Sequence, residues 1–126
     1  MTTVLQTNPT TEAATIAAQN DAFRKSIMFF NDIEDTPKGQ FVMTSGVSAM
    51  GPDARLSATR QVAAFEAFTP DNDPYGWHEF GAVEVFGTTI WFKVDLYDVN
   101  YEMGSNEPTD PEQTRRVLTL LLPSEY

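Results

Sequence analysis

Residues 69–98 read TPDNDPYGWHEFGAVEVFGTTIWFKVDLYD, and the fold follows from how that stretch alternates. It contains both tryptophans and the single histidine of the chain. Its first part, Pro70 to Gly76, packs prolines, a glycine and three Asx side chains into a few positions, the composition of a rigid surface turn. Its second part is a β-hairpin. A type II′ turn wants glycine first, which predicts Gly87-Thr88 as the turn and pairs Val85 with Ile90, Glu84 with Trp91 and Ala82 with Lys93. One face then carries Val83, Val85, Ile90, Phe92, Val94 and Leu96 and belongs to the core. The other carries Phe80, Ala82, Glu84, Phe86, Trp91, Lys93, Asp95 and Tyr97, too aromatic for a solvated face and too charged for full burial. A partly exposed contact face is the reading that reconciles the two, with Glu84 and Lys93 as diagonal ion-pair partners.

Upstream, Ile16, Phe23, Ile27 and Phe30 stripe one side of a helix that starts at a Thr10 or Thr11 cap, while Asn20, Asp21, Arg24 and Lys25 fall off the stripe. The acidic run Asp32, Glu34, Asp35 ends it, and Thr36 to Gly39 is a turn. Gln40 to Thr44 predicts a short strand. Gly51-Pro52-Asp53 opens a second helix with Ala58, Val62 and Phe65 inward, ended by the proline after Thr69. Downstream of the hairpin, Asp110-Pro111-Glu112-Gln113 has the form of a helix start. Arg115 to Leu122, short and apolar and closed by Pro123, predicts a strand inside the sheet. The expected fold class is α+β: an antiparallel sheet of about four strands with a central β-hairpin and two helices packed on one face. Residues 1–9 read as a flexible N-terminal arm and residues 10–126 as a single domain.

The 126 residues carry a formal net charge of −10, with 41% hydrophobic residues and no cysteine. That is too apolar for disorder, and it excludes disulfides and thiolate metal sites. The acidity argues against nucleic acid or an anionic membrane as direct partners, because both repel a polyanion. Between Glu66 and Asp110 stand ten acids and one base, Lys93, so nearly all of the net charge lies in that segment. Arg115 and Arg116 read as local partners for those acids. No apolar run is long enough to cross a bilayer, and the N-terminus lacks the regions of a signal peptide, which points to the cytoplasm.

Motifs of catalysis fail on inspection. His78-Glu79 begins a zinc-protease helix motif, but Ala82 stands where its second histidine belongs. Asp71 to Gly76 begins a calcium loop, but Tyr75 and Ala82 occupy ligand positions. Neither a metal nor another cofactor is therefore expected. An acid–base site of Asp71, Asp73, His78 and Glu79, as in a small hydrolase or metal-dependent enzyme, is the catalytic alternative. It lacks a recognisable nucleophile or phosphate loop, so the chain reads as non-enzymatic.

The segments IAAQNDAFRKS (16–26), FVMTSGV (41–47), FTPDNDPYGWHEFG (68–81), WFKVDLYD (91–98) and TRRVLTLLLPSEY (114–126) resemble an uncharacterised family of small acidic proteins, catalogued only as a domain of unknown function and found on proteobacterial plasmids and in phages. The resemblance transfers no activity. It implies a mobile-element setting, in which small acidic proteins counter host defence. The expected function is thus inhibition of a bacterial defence complex, CRISPR or restriction, by occupying its basic nucleic-acid-binding groove as a nucleic-acid mimic. The expected contacts are Asp71, Asp73, Glu79, Glu84, Trp91, Asp95 and Asp98. A structural or toxin–antitoxin partner protein is a further alternative.

Overall fold

The computed structural model describes residues 3–28 and 36–126, and for residues 3–10 the backbone course alone. Along the chain run α1 (Thr3–Ser26), β1 (Gly39–Met43), the short α2 (Ser45–Ser48), α3 (Pro52–Ala64), β2 (Phe80–Val85), β3 (Thr88–Tyr97), β4 (Arg115–Leu121) and a 3-10 turn (Pro123–Glu125). The strands form one four-stranded sheet in the order β1-β4-β3-β2. The fold is α+β, with the two long helices on one face of the sheet.

The hairpin alternation decides the core. Val83, Val85, Ile90, Phe92 and Val94 are buried, joined by Leu118 and Leu120 of β4 and by Val47, Ala54, Ala58 and Val62 of the helices. Ile16 and Phe23 of the α1 stripe are buried and Ile27 packs at the margin. Gly81 exists for a close approach: a Cβ there would stand 2.4 Å from the Phe92 ring. At the start of α3, Gly51 takes φ 97° at the cap and Pro52 occupies the first turn, as the Gly-Pro-Asp signal predicts.

Several expectations are corrected. The helix begins at Thr3, ahead of the Thr10 or Thr11 cap, and so runs into the segment assigned to an arm. Asn20 and Arg24 are buried, because β4 and the end of α3 close over that side of α1 as well. The sheet is mixed: β1 runs parallel to β4, while β4–β3 and β3–β2 are antiparallel. The hairpin forms one side of the sheet rather than its centre, with β2 at the edge. Its turn is Phe86-Gly87, and Val85 pairs with Thr88, Val83 with Ile90 and Ala82 with Trp91. Both turn residues have positive φ, 51° and 81°, the type I′ geometry whose twist matches the strands. The slip from the expected register leaves each side chain on its predicted face, since the alternation has period two. Asp110 to Gln113 forms a hydrogen-bonded turn, Gln113 N–H to Asp110 carbonyl, and no helix follows because Thr114 is buried and leads straight into β4. Phe30 and the expected acidic stop at Asp32, Glu34 and Asp35 lie outside the described residues. No helix among the described residues is long and apolar enough to cross a membrane.

Candidate functional site

Two regions gather the chemistry-bearing side chains. The first is a groove of about 830 Å³ between α1 and the loop after α3. Ala13, Ala14, Ala17 and Ala18 give it a smooth floor, and Phe68, Pro70, Pro74 and Tyr75 wall it. His78 stands in the wall with φ 57°, a left-handed conformation that an ordinary residue takes only when its surroundings impose it. Asp73 imposes it: one carboxylate oxygen accepts the N–H groups of Trp77 (3.0 Å) and His78 (3.1 Å). The imidazole is fixed on three sides. It stacks flat on Phe68 at 4.1 Å, its Nδ1 lies 3.0 Å from both oxygens of Asp21, and its Nε2 lies 3.8 Å from Asp73. A carboxylate only accepts, so Nδ1 carries the proton toward Asp21.

Asp21 also accepts from Arg24 at 2.7 Å. Arg24 in turn donates to the carbonyls of Val62 (2.9 Å) and Ala63 (3.1 Å), so a guanidinium from α1 caps the C-terminus of α3. Its carbon lies 5.3 Å from the Phe68 ring centre and 5.8 Å from that of Phe92, a buried cation over aromatic faces. Asp73, His78, Asp21 and Arg24 thus form one chain of contacts that locks the 69–78 loop to both helices. Below it, Arg116 reaches from β4 to the side-chain oxygens of Asn20 (2.7 Å) and Gln19 (2.9 Å). The nitrogens of those amides bind the carbonyls of Trp77 and Thr109, so one polar pair on α1 ties two loops to the central strand. Burial pushes the Arg116 guanidinium down to about 10. Arg115 donates to carbonyls of Pro111, Glu112 and Thr114, so neither arginine serves the acids as expected.

The second region is the sheet face away from the helices. Trp91 is half-buried, with Phe80 edge-on at 5.3 Å and Tyr126 at 5.8 Å, the latter brought over by the 3-10 turn. Glu125 holds that turn in place by accepting from Leu122 N–H (2.8 Å), Gly46 N–H (2.9 Å) and the Thr44 hydroxyl. Those hydrogen bonds keep the Glu125 carboxyl below its usual range. Lys93 pairs with Asp95 along its own strand at 2.7 Å, while exposed Glu84 accepts from the Thr89 hydroxyl. The expected Glu84–Lys93 pair is therefore replaced by two nearer partnerships. The Asp95 contact raises the Lys93 pKa.

Of the expected contact residues, Glu84, Trp91 and Asp95 share this open face. Glu79, half-buried just before β2, has its pKa raised by burial and by the neighbouring charges of Asp73 and Asp95. Asp98 lies past β3, where one oxygen accepts the N–H groups of Asn100 and Glu102 and shapes the turn. Asp71 is exposed on the distant loop, and Asp73 is buried within it. The alternative acid–base set is assembled in part: Asp73 meets His78, Asp71 stands outside, and Asp21 takes the place nearest the imidazole. Among the described residues no group of three or more His, Asp or Glu side chains is placed to hold a metal ion.

Sequence reasoning missed Asp21, Asn20 and Tyr126. Asp21 carried one local signal, Arg24 three residues on at ion-pair spacing. Asn20 and Tyr126 carried none, since their partners are distant in the chain.

Neither the curated proteins nor the solved structures contain a match to this chain. A family model does match, over residues 43–125, from the last residue of β1 through the 3-10 turn. It therefore takes in the 69–78 loop, the hairpin and β4, and leaves α1 outside. The chain belongs to the family described as "Protein of unknown function (DUF3768)".

Proposed function

We propose that the chain is a non-catalytic binding protein that docks on a basic protein surface, of the kind with which a nucleic-acid-handling complex holds its DNA or RNA. The observation that carries this reading is the asymmetry of the sheet. One face is closed by α1 and α3, while the other presents Phe80, Trp91 and Tyr97 half-exposed beside Glu84 and Asp95. The one lysine of the hairpin on that face, Lys93, is already paired with Asp95, and aromatic anchors set among largely acidic charge are what a basic, partly apolar counter-surface selects. The charge supports the sign of the partner: ten acids and one base between Glu66 and Asp110 give a field that steers a cationic surface in.

The narrower form of the proposal is inhibition of a bacterial defence complex, CRISPR or restriction, by a cytoplasmic protein carried on a plasmid or phage. Its support is the acidity, the small size and the sequence resemblance, with the open face standing in for a stretch of nucleic-acid backbone. Candidate contacts on that face are Glu84, Trp91 and Asp95, flanked by Glu79 and Asp98; Asp71 lies on a separate loop, and the Asp73 carboxylate is engaged inside it.

The test is binding of the purified chain to purified CRISPR and restriction effector complexes at low and high salt, with DNA as competitor. Binding should weaken steeply with salt, and DNA should displace it. The double change Glu84→Arg and Asp95→Arg should weaken it by roughly tenfold or more while the circular dichroism spectrum stays that of the folded chain, with only a modest fall in the melt from loss of the Lys93–Asp95 pair. Binding of no complex at low salt overturns the narrower proposal. Binding indifferent to salt and to both reversals overturns the broader one.

A further inference from the structure

We infer that the outer edge of β2 is a strand-addition site, and that its occupant is an extended basic segment of the partner, which enters as a fifth strand beside Phe80–Val85. The inference rests on the binding function proposed above and adds the mode of attachment. The phase of the hairpin ladder carries it. Val94 N–H donates to the Glu79 carbonyl at 2.8 Å, which makes Glu79–Val94 a hydrogen-bonded pair. In an antiparallel ladder bonded and non-bonded pairs alternate. Phe80–Lys93, Ala82–Trp91 and Glu84–Thr89 are therefore the non-bonded pairs, and Phe80, Ala82 and Glu84 turn their N–H and C=O groups away from β3.

β2 is the end strand of the sheet, so those groups line its free edge. Among the described residues one of them is claimed: the Glu84 carbonyl accepts from Gln61 Nε2 of α3 at 2.9 Å. That leaves the main-chain groups of Phe80 and Ala82 and the N–H of Glu84 as an open template. Proteins protect such edges with proline, lysine or a bulge. The sequence FGAVEV has no proline or lysine, its single charge is Glu84 near the hairpin turn, and its pairing with β3 runs without interruption, so the Phe80–Ala82 part of the edge carries none of these devices. Phe86 extends the same edge at the hairpin tip, 73% exposed and held at φ 51°.

Charge chooses the occupant. The same three residues place their side chains on the open face: Phe80, then small exposed Ala82 opposite Trp91, then exposed Glu84. A fifth strand would set alternate side chains beside this row, an apolar one near Phe80 and Trp91 and a cationic one near Glu84. A second copy of this chain would bring another molecule of net charge −10 to the same edge. A lysine- or arginine-bearing segment gains where that copy is repelled.

The experiment uses the isotopically labelled full chain and a defined probe, an acetylated and amidated peptide alternating lysine and valine to match the six residues of β2. Titration should shift and protect the amides of Phe80, Ala82 and Glu84 ahead of all others. The same peptide N-methylated at alternate residues, which cannot complete the ladder, should bind roughly tenfold or more weakly. Ala82→Pro removes one outward N–H and leaves the inward ladder intact, and should lower affinity similarly. The N-methylated peptide decides the matter should that variant fail to fold. Amide shifts confined to the groove or to the middle of the open face overturn the proposal, as does equal binding of a glutamate–valine peptide or concentration-dependent self-pairing through β2. If Glu84→Arg with Asp95→Arg abolishes binding to an effector complex and Ala82→Pro leaves it unchanged, the edge proposal falls and the binding function stands.

Discussion

At Arg116 a guanidinium has no exposed surface, and the side-chain oxygens it reaches belong to the amides of Asn20 and Gln19. One guanidinium nitrogen is buried without a partner among the described residues, so the site depends on the two bonds it does make. Asn20→Ala removes the shorter of them and frees the Trp77 carbonyl as well. The expected loss is about 3 kcal/mol, read as a lower urea midpoint with an unchanged slope. Gln at the same position should recover part of it. Glu79 offers the converse case. Burial and the charges of Asp73 and Asp95 raise its pKa above 4.5, so the folded chain takes up this proton more readily than the unfolded chain does. Its contribution to stability is fully present below pH 4.5 and declines as pH rises through the folded value. Glu79→Gln should therefore raise the melting temperature at neutral pH and flatten the decline between acid and neutral pH, measured by thermal melts across that range. A melt at neutral pH that falls in the variant would show that the carboxylate makes a favourable contact there. None of these roles was legible in the sequence. Asn20 and Arg24 sit off the apolar stripe, and what buries them is β4 and the end of α3, elements far along the chain.

Among the elements, the hairpin shows most directly what local sequence decides and what it leaves open. Period-two alternation settled which residues enter the core, and the observed faces follow it without exception from Val83 to Val94. The turn was misplaced because glycine satisfies two geometries: first residue of a II′ turn, or second residue of an I′ turn when its neighbour accepts positive φ. Nothing local announces that Phe86 would accept it. A phenylalanine at φ 51° and 73% exposed is held against its own preference and gains little from burial. Phe86→Asn restores the favoured Asn-Gly pair and should stabilise the fold by about 1 kcal/mol, seen as a higher denaturation midpoint. If Phe86 works as a contact at the end of the β2 edge, the same change weakens partner binding while it stabilises the chain. A variant both less stable and unchanged in binding would remove Phe86 from either role. The helices divide in the same way. Gly51-Pro52-Asp53 marked the start of α3 because cap chemistry is local, whereas the end of α3 is capped by Arg24 from another helix.

For the whole molecule, the sequence foretold an α+β fold with two helices on one sheet face, since the alternating and helical periods occupy separate segments. Strand order was beyond it: periodicity says which side of a strand is buried and is silent on which strand lies alongside. The candidate surface was half legible for a related reason. Glu84, Trp91 and Asp95 share a face through the alternation of one hairpin, but Asp71 and Asp73 belong to a loop whose position depends on α1. The charge of −10 acts at this scale, and the salt dependence expected of binding is its signature. The strand order has a bearing on synthesis as well. β4 comes last in the chain and lies between β1 and β3. Until Leu121 has been made, the hairpin and β1 have no common neighbour, and Leu118 and Leu120, which complete the core, are missing. A nascent or prematurely ended chain therefore displays two unmated strands at once, one on each side of an empty slot. Such a chain invites pairing between molecules, so translation speed and chaperone supply should govern its yield more than the stability of the finished protein does.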